Sequence, residues 1–464
     1  MSRYPIDDFQ NRQVTLIGLG TRTHVHLARY LVRHGARVRI SERKPREQLD
    51  AEMELIRDLP VELRLGGHHD DDVIDSDMVF VSPGVPRDLP ILSVARARGI
   101  PISSEIELLL ARCPAPIVGI TGSAGKTTTT SLVGEMLRAD GTFVLVGGNI
   151  GIPLIDRVDE ISAASRVVLE LSSYQLEALR QSPPIGTVLN VTPNHLDRHP
   201  SFEHYRECKF NLLRYQTAND VAVLSADDPV AASFAPRAVG SVRLFSGAGE
   251  VQEGAFARGD ELIVRDHGVE EPFARIPKLR LPGRHNVLNV LAAAAVARVV
   301  GIAPDAIGRV ATTFAGVEHR LEFVRELAGV SYYDDSIATT PERAMAALRS
   351  FSRPIVLIAG GRSKHLAMEE FAREIAHRAR AVVTVGEMAD EVEGAIRACP
   401  SGGDVAIERA PSFEGAVRAA RDLARPGDVV LLSPSGTSYD QFRDFEERGR
   451  RFKSAVWALD GGNA

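Results

Sequence analysis

P-I-V-G-I-T-G-S-A-G-K-T-T, residues 116–128, sets the fold class. Its apolar start reads as a buried strand, G-S-A-G as a turn, and the run from about Lys126 to Ala139 as a helix. A strand that feeds a helix through a glycine turn is the unit of a parallel α/β sheet. It is also a phosphate site. Gly122 and Gly125 let the backbone aim its N–H groups at phosphate oxygens, and the helix N-terminus adds partial positive charge. Lys126 adds a full charge, and the Thr127 hydroxyl suits Mg²⁺. Longer loops of this kind carry a glycine five residues before Gly125. This chain has Ile120 there, so the loop is a shorter variant. ATP is the expected ligand, held by Gly122, Ser123, Ala124, Gly125, Lys126, Thr127 and Thr128.

Toward the N-terminus, V-T-L-I-G-L-G (14–20), L-A-R-Y-L-V-R-H-G (27–35), R-V-R-I (37–40) and M-V-F-V-S-P-G-V-P (78–86) alternate strand and helix. They predict a Rossmann-like domain over 1–113, with Ala111–Pro116 as a linker. G-L-G continues as T-R-T-H, without the third glycine of a dinucleotide fingerprint. Two readings stay open there: a nucleotide site with Glu42 on a ribose hydroxyl, or a plain turn. Neither supports a hydride-transfer dehydrogenase.

Toward the C-terminus, V-V-L-E-L-S-S (167–173), G-T-V-L-N-V-T (186–192) and V-A-V-L-S-A-D-D (221–228) are further strands. Residues 240–275 read as a small antiparallel excursion, and an Ala-rich helix near 286–300 returns to the core. This is a central P-loop ATPase-type α/β domain over 114–316. Strands at 330–336, 354–361, 381–386 and 428–434 predict a second Rossmann-like α/β domain over 317–464. Ligands of such sheets bind at the strands' carboxyl ends, where the polar residues cluster. Glu170 is an acid inside an apolar strand, which a surface role explains poorly; it is a predicted Mg²⁺ ligand. His195, in N-V-T-P-N-H-L-D-R-H (190–199), is either structural or a metal ligand. Lys209 reads on composition as an exposed helix lysine.

The 464 residues carry a net charge of −6, so no basic excess argues for nucleic acid. Three widely spaced cysteines fit a reducing cytoplasm. The apolar run around Val290–Val300 falls short of about 20 residues, so no membrane insertion is expected.

Together, several stretches resemble the Mur ligases, ATP-dependent amide-bond-forming enzymes of peptidoglycan synthesis. They are G-I-T-G-S-A-G-K-T-T (119–128), G-G-N-I-G (147–151), L-E-L-S-S-Y-Q-L-E (169–177), N-V-T-P-N-H-L-D-R-H (190–199), L-P-G-R-H-N-V-L-N (281–289), G-V-E-H-R-L-E (316–322) and L-S-P-S-G-T-S-Y-D-Q-F-R-D-F-E-E-R-G (432–449). The last, with L-E-L-S-S-Y-Q-L-E, is similar to the branch that adds D-glutamate. The resemblance implies three domains, working as a monomer on UDP-N-acetylmuramoyl-L-alanine, glutamate and ATP through an acyl phosphate. It implies catalytic roles for Lys126, His195 and Lys209. Two Mg²⁺ would be held by Thr127, Glu170, His195 and a carbamylated Lys209. It places Asn286, Asn289, Arg320 and Asp335 on ATP, and Thr21, Arg22, Arg43, Ser82, Asn149 and Ser172 on the UDP substrate. Thr339, Lys364, Ser438 and Phe445 fall around the glutamate. Two positions depart from the D-glutamate pattern: Ile337 stands where a lysine is usual, and Arg362 where an acid is frequent. Ligation of L-glutamate, a same-fold ligase such as a folate polyglutamate synthase, and a P-loop switch protein are the alternatives.

Overall fold

Each strand expected above lies in one of three sheets in the computed structural model, which describes residues 8–20, 23–150, 153–195, 198–281, 283–364, 366–400 and 402–460. The first sheet holds β1 (Gln13–Ile17), β2 (Arg37–Glu42), β3 (Val61–Leu65), β4 (Met78–Val81) and β5 (Ile102–Ser103), all parallel, in the order β3-β2-β1-β4-β5. The order reverses at β1/β4, where such sheets open a ligand crevice.

The second sheet has nine strands: β6 (Ile117–Thr121), β7 (Val144–Gly148), β8 (Arg166–Glu170), β9 (Ile185–Val188), β10 (Val221–Ser225), β11 (Ser241–Ser246), β12 (Gly254–Arg258), β13 (Glu261–Asp266) and β14 (Val269–Arg275). Their order is β14-β13-β12-β11-β10-β9-β6-β8-β7. This corrects in part the expectation of a small antiparallel excursion over 240–275. β11 and β12 extend the main sheet in parallel from β10, and only the pairings β12–β13 and β13–β14 are antiparallel. The physical reason is burial. Phe245, Ala255, Leu262 and Val264 join one hydrophobic cluster with the helix Arg284–Val299, so these short strands have a helix to pack on. That helix is buried from Val290 through Ala297, as its Ala-rich sequence requires. Among the described residues no helix is long and apolar enough to cross a membrane.

The chain divides into two compact units, residues 1–314 and 315–464. The first unit carries both sheets above, and one hydrophobic cluster runs through them, joining Leu31 and Leu109 to Ile155, Val158 and Leu176. Between the sheets, the helix Glu105–Arg112 leads to β6 through four residues, of which Ala115 is buried. The second unit holds β15 (Glu322–Leu327), β16 (Val330–Asp334), β17 (Ile355–Gly360), β18 (Ala379–Val385), β19 (Ala406–Arg409) and β20 (Val429–Ser435). The order is β15-β16-β20-β17-β18-β19, parallel except for the edge strand β15. Helices cover both faces of this sheet, giving two clusters, one around Leu357 and Phe371, the other around Ile358 and Phe452.

Candidate active site

β6 is buried along its whole length and delivers the glycine loop to the start of the helix Lys126–Arg138. Gly125 caps that helix at φ 81°, a left-handed conformation that suits glycine, and a Cβ there would collide with Asn289 Oδ1. The loop is tied down before any ligand arrives. Asn190 Oδ1 accepts from the Ala124 N–H at 2.8 Å, and Asn190 Nδ2 donates to the Ala124 carbonyl at 3.1 Å. Ser123 Oγ donates to the Thr192 carbonyl and accepts from the Thr192 N–H, each at 3.0 Å, and meets Tyr205 OH at 3.0 Å. Lys126 Nζ folds onto the loop, donating to the Gly122 carbonyl at 2.9 Å. Thr128 follows, half-buried.

Glu170 ends β8 with 2% of its surface exposed. One oxygen accepts from Thr127 Oγ1 at 2.7 Å and the other from Asn149 Nδ2 at 2.9 Å. The Asn149 N–H also donates to the Glu170 carbonyl, at 2.8 Å. The hydroxyl and carboxylate predicted for Mg²⁺ thus share one buried spot, an oxygen donor set of the kind Mg²⁺ takes.

Lys209 departs from its composition reading. It is 1% exposed, on the helix Phe202–Arg214. Nζ donates to the Gly122 carbonyl at 2.9 Å and lies 4.6 Å from the centre of the Tyr205 ring. Burial, and then the charge of Lys126, hold its pKa well below the usual lysine range. A neutral amine, not an ammonium, is the form that can add CO₂. Lys209 and Lys126 donate to the same carbonyl, so the loop brings these two residues together. His195 has φ 55° and packs its ring 5.3 Å from that of Tyr174. Ser172 caps the helix Ser173–Glu177, accepting from the Gln175 N–H at 3.3 Å.

Beyond the loop, a cavity of about 300 Å³ is lined by Gly125, Asn190, Asp227, Phe245, His285 and Asn289. Asn289 is buried and fixed from two sides, donating to Asn286 Oδ1 at 3.1 Å and accepting from Thr129 Oγ1 at 3.3 Å.

In the first sheet, Ser82 follows β4 and Arg43 follows β2, so both stand at carboxyl ends beside the crevice. Thr21 and Arg22 lie outside the described residues. Glu42 has other work than a ribose: its oxygens accept from the Leu19 N–H at 2.6 Å and the Lys44 N–H at 2.9 Å. Arg198 was not singled out by the sequence. It donates to the carbonyls of Gly84 and Pro83 at 2.9 and 3.2 Å and stacks on Tyr174, joining the loop after β9 to the loop after β4. Tyr205 and Asn190 were missed too, although Asn190 sits inside a motif already recognised.

In the second unit, Asp335 is 4% exposed, accepting from Ser433 Oγ at 2.9 Å and from the Leu321 N–H at 3.2 Å. Burial pushes its carboxyl up to about 7, against the opposing charge of Arg320. Lys364 Nζ reaches Thr339 Oγ1 at 3.5 Å, and burial, Arg343 and Arg448 lower its pKa. Arg362 pairs its backbone with Thr437, the neighbour of buried Ser438. Phe445 opens the helix Phe445–Trp457; its carbonyl accepts from Ser336 Oγ at 2.8 Å and its ring meets His319 edge-on. Arg362 is held by Glu387 at 2.9 and 3.2 Å, while Arg343 Nη1 donates to the Ile337 carbonyl at 3.4 Å.

Comparison with known proteins fits this arrangement. Residues 12–104 match the Mur ligase MurD-like N-terminal domain, 120–297 the Mur ligase middle domain, and 319–436 the Mur ligase glutamate ligase domain. The chain is 45% identical to the UDP-N-acetylmuramoylalanine–D-glutamate ligase of Symbiobacterium thermophilum over 96% of its own length and 98% of that protein. It is 40% identical to the enzyme of the same name from Acetivibrio thermocellus over 98% and 99%. Among solved structures, UDP-N-acetylmuramate-alanine ligase MurC of Thermotoga maritima aligns at a TM-score of 0.53 with 20% identity, covering 97% of this chain and 100% of that one. MurF of Acinetobacter baumannii aligns at 0.54 with 18% identity, covering 96% and 92%. The structural matches speak for the fold, and the full-length sequence identity makes this chain a member of the Mur ligase family.

Proposed function

We propose that this chain joins the amine of D-glutamate to the carboxylate of UDP-N-acetylmuramoyl-L-alanine at the expense of ATP, a cytoplasmic step of cell-wall synthesis. The observation that carries this reading is the 45% identity over nearly the whole length of both chains. A substrate carboxylate oxygen bonds to the γ-phosphorus as ADP leaves. The glutamate amine then adds to the acyl carbon, loses a proton and expels phosphate.

The chain's own residues divide the work. The loop N–H groups and Lys126 neutralise phosphate charge that would otherwise repel the incoming carboxylate. Thr127 and Glu170 offer oxygens for one Mg²⁺, and His195 with a carbamylated Lys209 serve a second. The metal supplies charge neutralisation at the transferring phosphate. The depressed pKa of Lys209 supports carbamylation, because the neutral amine adds CO₂ and releases a proton. Asn286 and Asn289 serve the adenine end of the cavity, and Arg320 and Asp335 are assigned to ATP by the family resemblance. Arg43 and Ser82, with Thr21 and Arg22, take the UDP group, and Asn149 and Ser172 the muramoyl end. Thr339, Lys364, Ser438 and Phe445 take the glutamate. Domain boundaries near 113 and 316 follow from the same reading. All these residues belong to one chain, so a monomer suffices.

The test is a product assay with D- and L-glutamate offered separately. Phosphate release that requires both UDP-N-acetylmuramoyl-L-alanine and D-glutamate is expected. Equal ATP turnover without either would sink the ligase reading, and product only with L-glutamate would overturn the stereochemistry.

A further inference from the structure

Beside the loop lies a cluster that the proposed reaction does not use. His199 lies in the loop after β9, and His204 and Cys208 are one turn apart on the helix Phe202–Arg214. Their ligand atoms converge. His199 Nδ1 and His204 Nδ1 are 3.0 Å apart, and Cys208 Sγ is 3.7 Å from His204 Nδ1 and 4.0 Å from His199 Nδ1. With Zn–N near 2.05 Å and Zn–S near 2.3 Å, a tetrahedral site needs edges of about 3.4 Å for N–N and about 3.6 Å for N–S. The three edges here each fall within about half an ångström of those values.

The far side of the His199 imidazole is engaged, and that of His204 faces a carboxylate. His199 Nε2 lies 2.9 Å from Ser173 Oγ, and His204 Nε2 lies 3.6 Å from Glu177 Oε1. Ser173 is a partner of the kind that orients a zinc-bound imidazole through its outer nitrogen. Cys208 Sγ lies 4.0 Å from His204 Nε2 as well, beside that ring, so binding requires the half-exposed His204 ring to turn its Nδ1 toward the sulfur. His199 and Cys208 are buried, and His204 is half-exposed, so the cluster is approached from the His204 side. The other cluster of this type among the described residues, Glu318, His319 and Glu322, already has Lys453 on both glutamates.

We propose that His199, His204 and Cys208 form a zinc site, with water as the fourth ligand and the Cys208 proton released on binding. Its nitrogen and sulfur donors set it apart from the oxygen donors of a Mg²⁺ site. The ion fastens the segment after β9 to the helix that carries Lys209. The site stands whether or not the ligase reading holds.

The test uses the full chain stripped with a chelator, then titrated with Zn²⁺ against a chromophoric chelator and, separately, with Co²⁺ followed by absorption. One tight equivalent of zinc is expected, weakened roughly a hundredfold or more in Cys208→Ala. A thiolate-to-cobalt charge-transfer band is expected in the parent chain and not in Cys208→Ala. Should that variant fold poorly, His204→Gln, at a partly exposed position, gives the same affinity readout. Equal zinc affinity in parent and variants would put the ion on the Mg²⁺ oxygens and overturn the proposal. So would a charge-transfer band that survives Cys208→Ala, which would assign it to Cys113 or Cys399, or the absence of zinc binding at micromolar concentration.

Discussion

The phosphate loop of the first unit and the candidate glutamate pocket of the second are built in opposite ways. The loop is a backbone device: Asn190 holds both the N–H and the carbonyl of Ala124, and Ser123 holds both those of Thr192. The pocket is a side-chain device, in which Lys364 reaches Thr339 at 3.5 Å and buried Arg448 braces Ser336 and the Gly436 carbonyl. A site made of backbone tolerates changed side chains, which is why Ala124 disturbs nothing in the loop. A site made of side chains registers each substitution, and Ile337 and Arg362 fall there.

The sharpest way to break this contrast is to remove the one full charge that the loop contributes. Lys126→Ala is expected to lower phosphate release by roughly 1,000-fold, the scale of losing a major charge-stabilising group. The melting temperature should stay near that of the parent, because the backbone bonds of Asn190 and Ser123 remain. Near-normal turnover would remove Lys126 from the reaction. Lys209→Ala is expected to cost about 100-fold or more. Added bicarbonate should not restore it, whereas short carboxylic acids should restore part of it by replacing the carbamate's anionic oxygens. Full activity in Lys209→Ala would end the carbamate proposal.

The sequence was legible where one residue type has one physical excuse. Gly125 needs its positive φ, Glu170 sits in an apolar strand, and an Ala-rich run becomes a buried helix. It was misleading where burial is decided by tertiary packing. Lys209 looked exposed until its helix was laid against β6 and β9. Strands β3, β15 and β19 were missed because V-E-L-R-L, E-F-V-R-E-L and A-I-E-R put charges on half-exposed edge positions. Residues 240–275 were seen as strands, and β12 to β14 do pair antiparallel, but the parallel extension through β11 and β12 was not foreseen, since short strands do not announce their neighbours. Tyr205, Asn190 and Arg198 could be placed only by their contacts, because nothing in composition marks a residue that braces another's backbone.

In the second unit, Asp335 supplies a test through stability. Its carboxyl titrates near 7 in the fold, above its ordinary value of 3.8. A raised acid pKa means the folded state keeps a proton that the unfolded chain gives up. Stability from this group is therefore fully present below about pH 4, declines as pH rises toward 7, and is level above that. Asp335→Asn removes the titration and can keep hydrogen bonds to Ser433 and Leu321. Its stability relative to the parent should rise between pH 4 and 7, by about 2–4 kcal/mol at most, and then plateau. Thermal unfolding of both proteins across that range checks it. A difference independent of pH would mean that Asp335 is not held protonated by burial.

The smallest effect bears on the missing lysine at 337. Arg362, the one cation gained nearby, is engaged by Glu387 and so does not replace it. Arg343 is the nearer cation: its guanidinium donates to the Ile337 carbonyl at 3.4 Å, and its charge is felt at Lys364. An exposed cation of this kind contributes about 0.5–1 kcal/mol. Arg343→Ala should therefore raise the KM for glutamate by roughly twofold to fivefold and leave the KM for ATP unchanged. Arg362→Ala should change neither constant. Adding the lysine back, as Ile337→Lys in the Arg343→Ala background, should recover most of the loss. If Arg362→Ala proved the costlier change, the compensating charge would be Arg362 freed from Glu387, and the pocket would depend on that switch of partners instead.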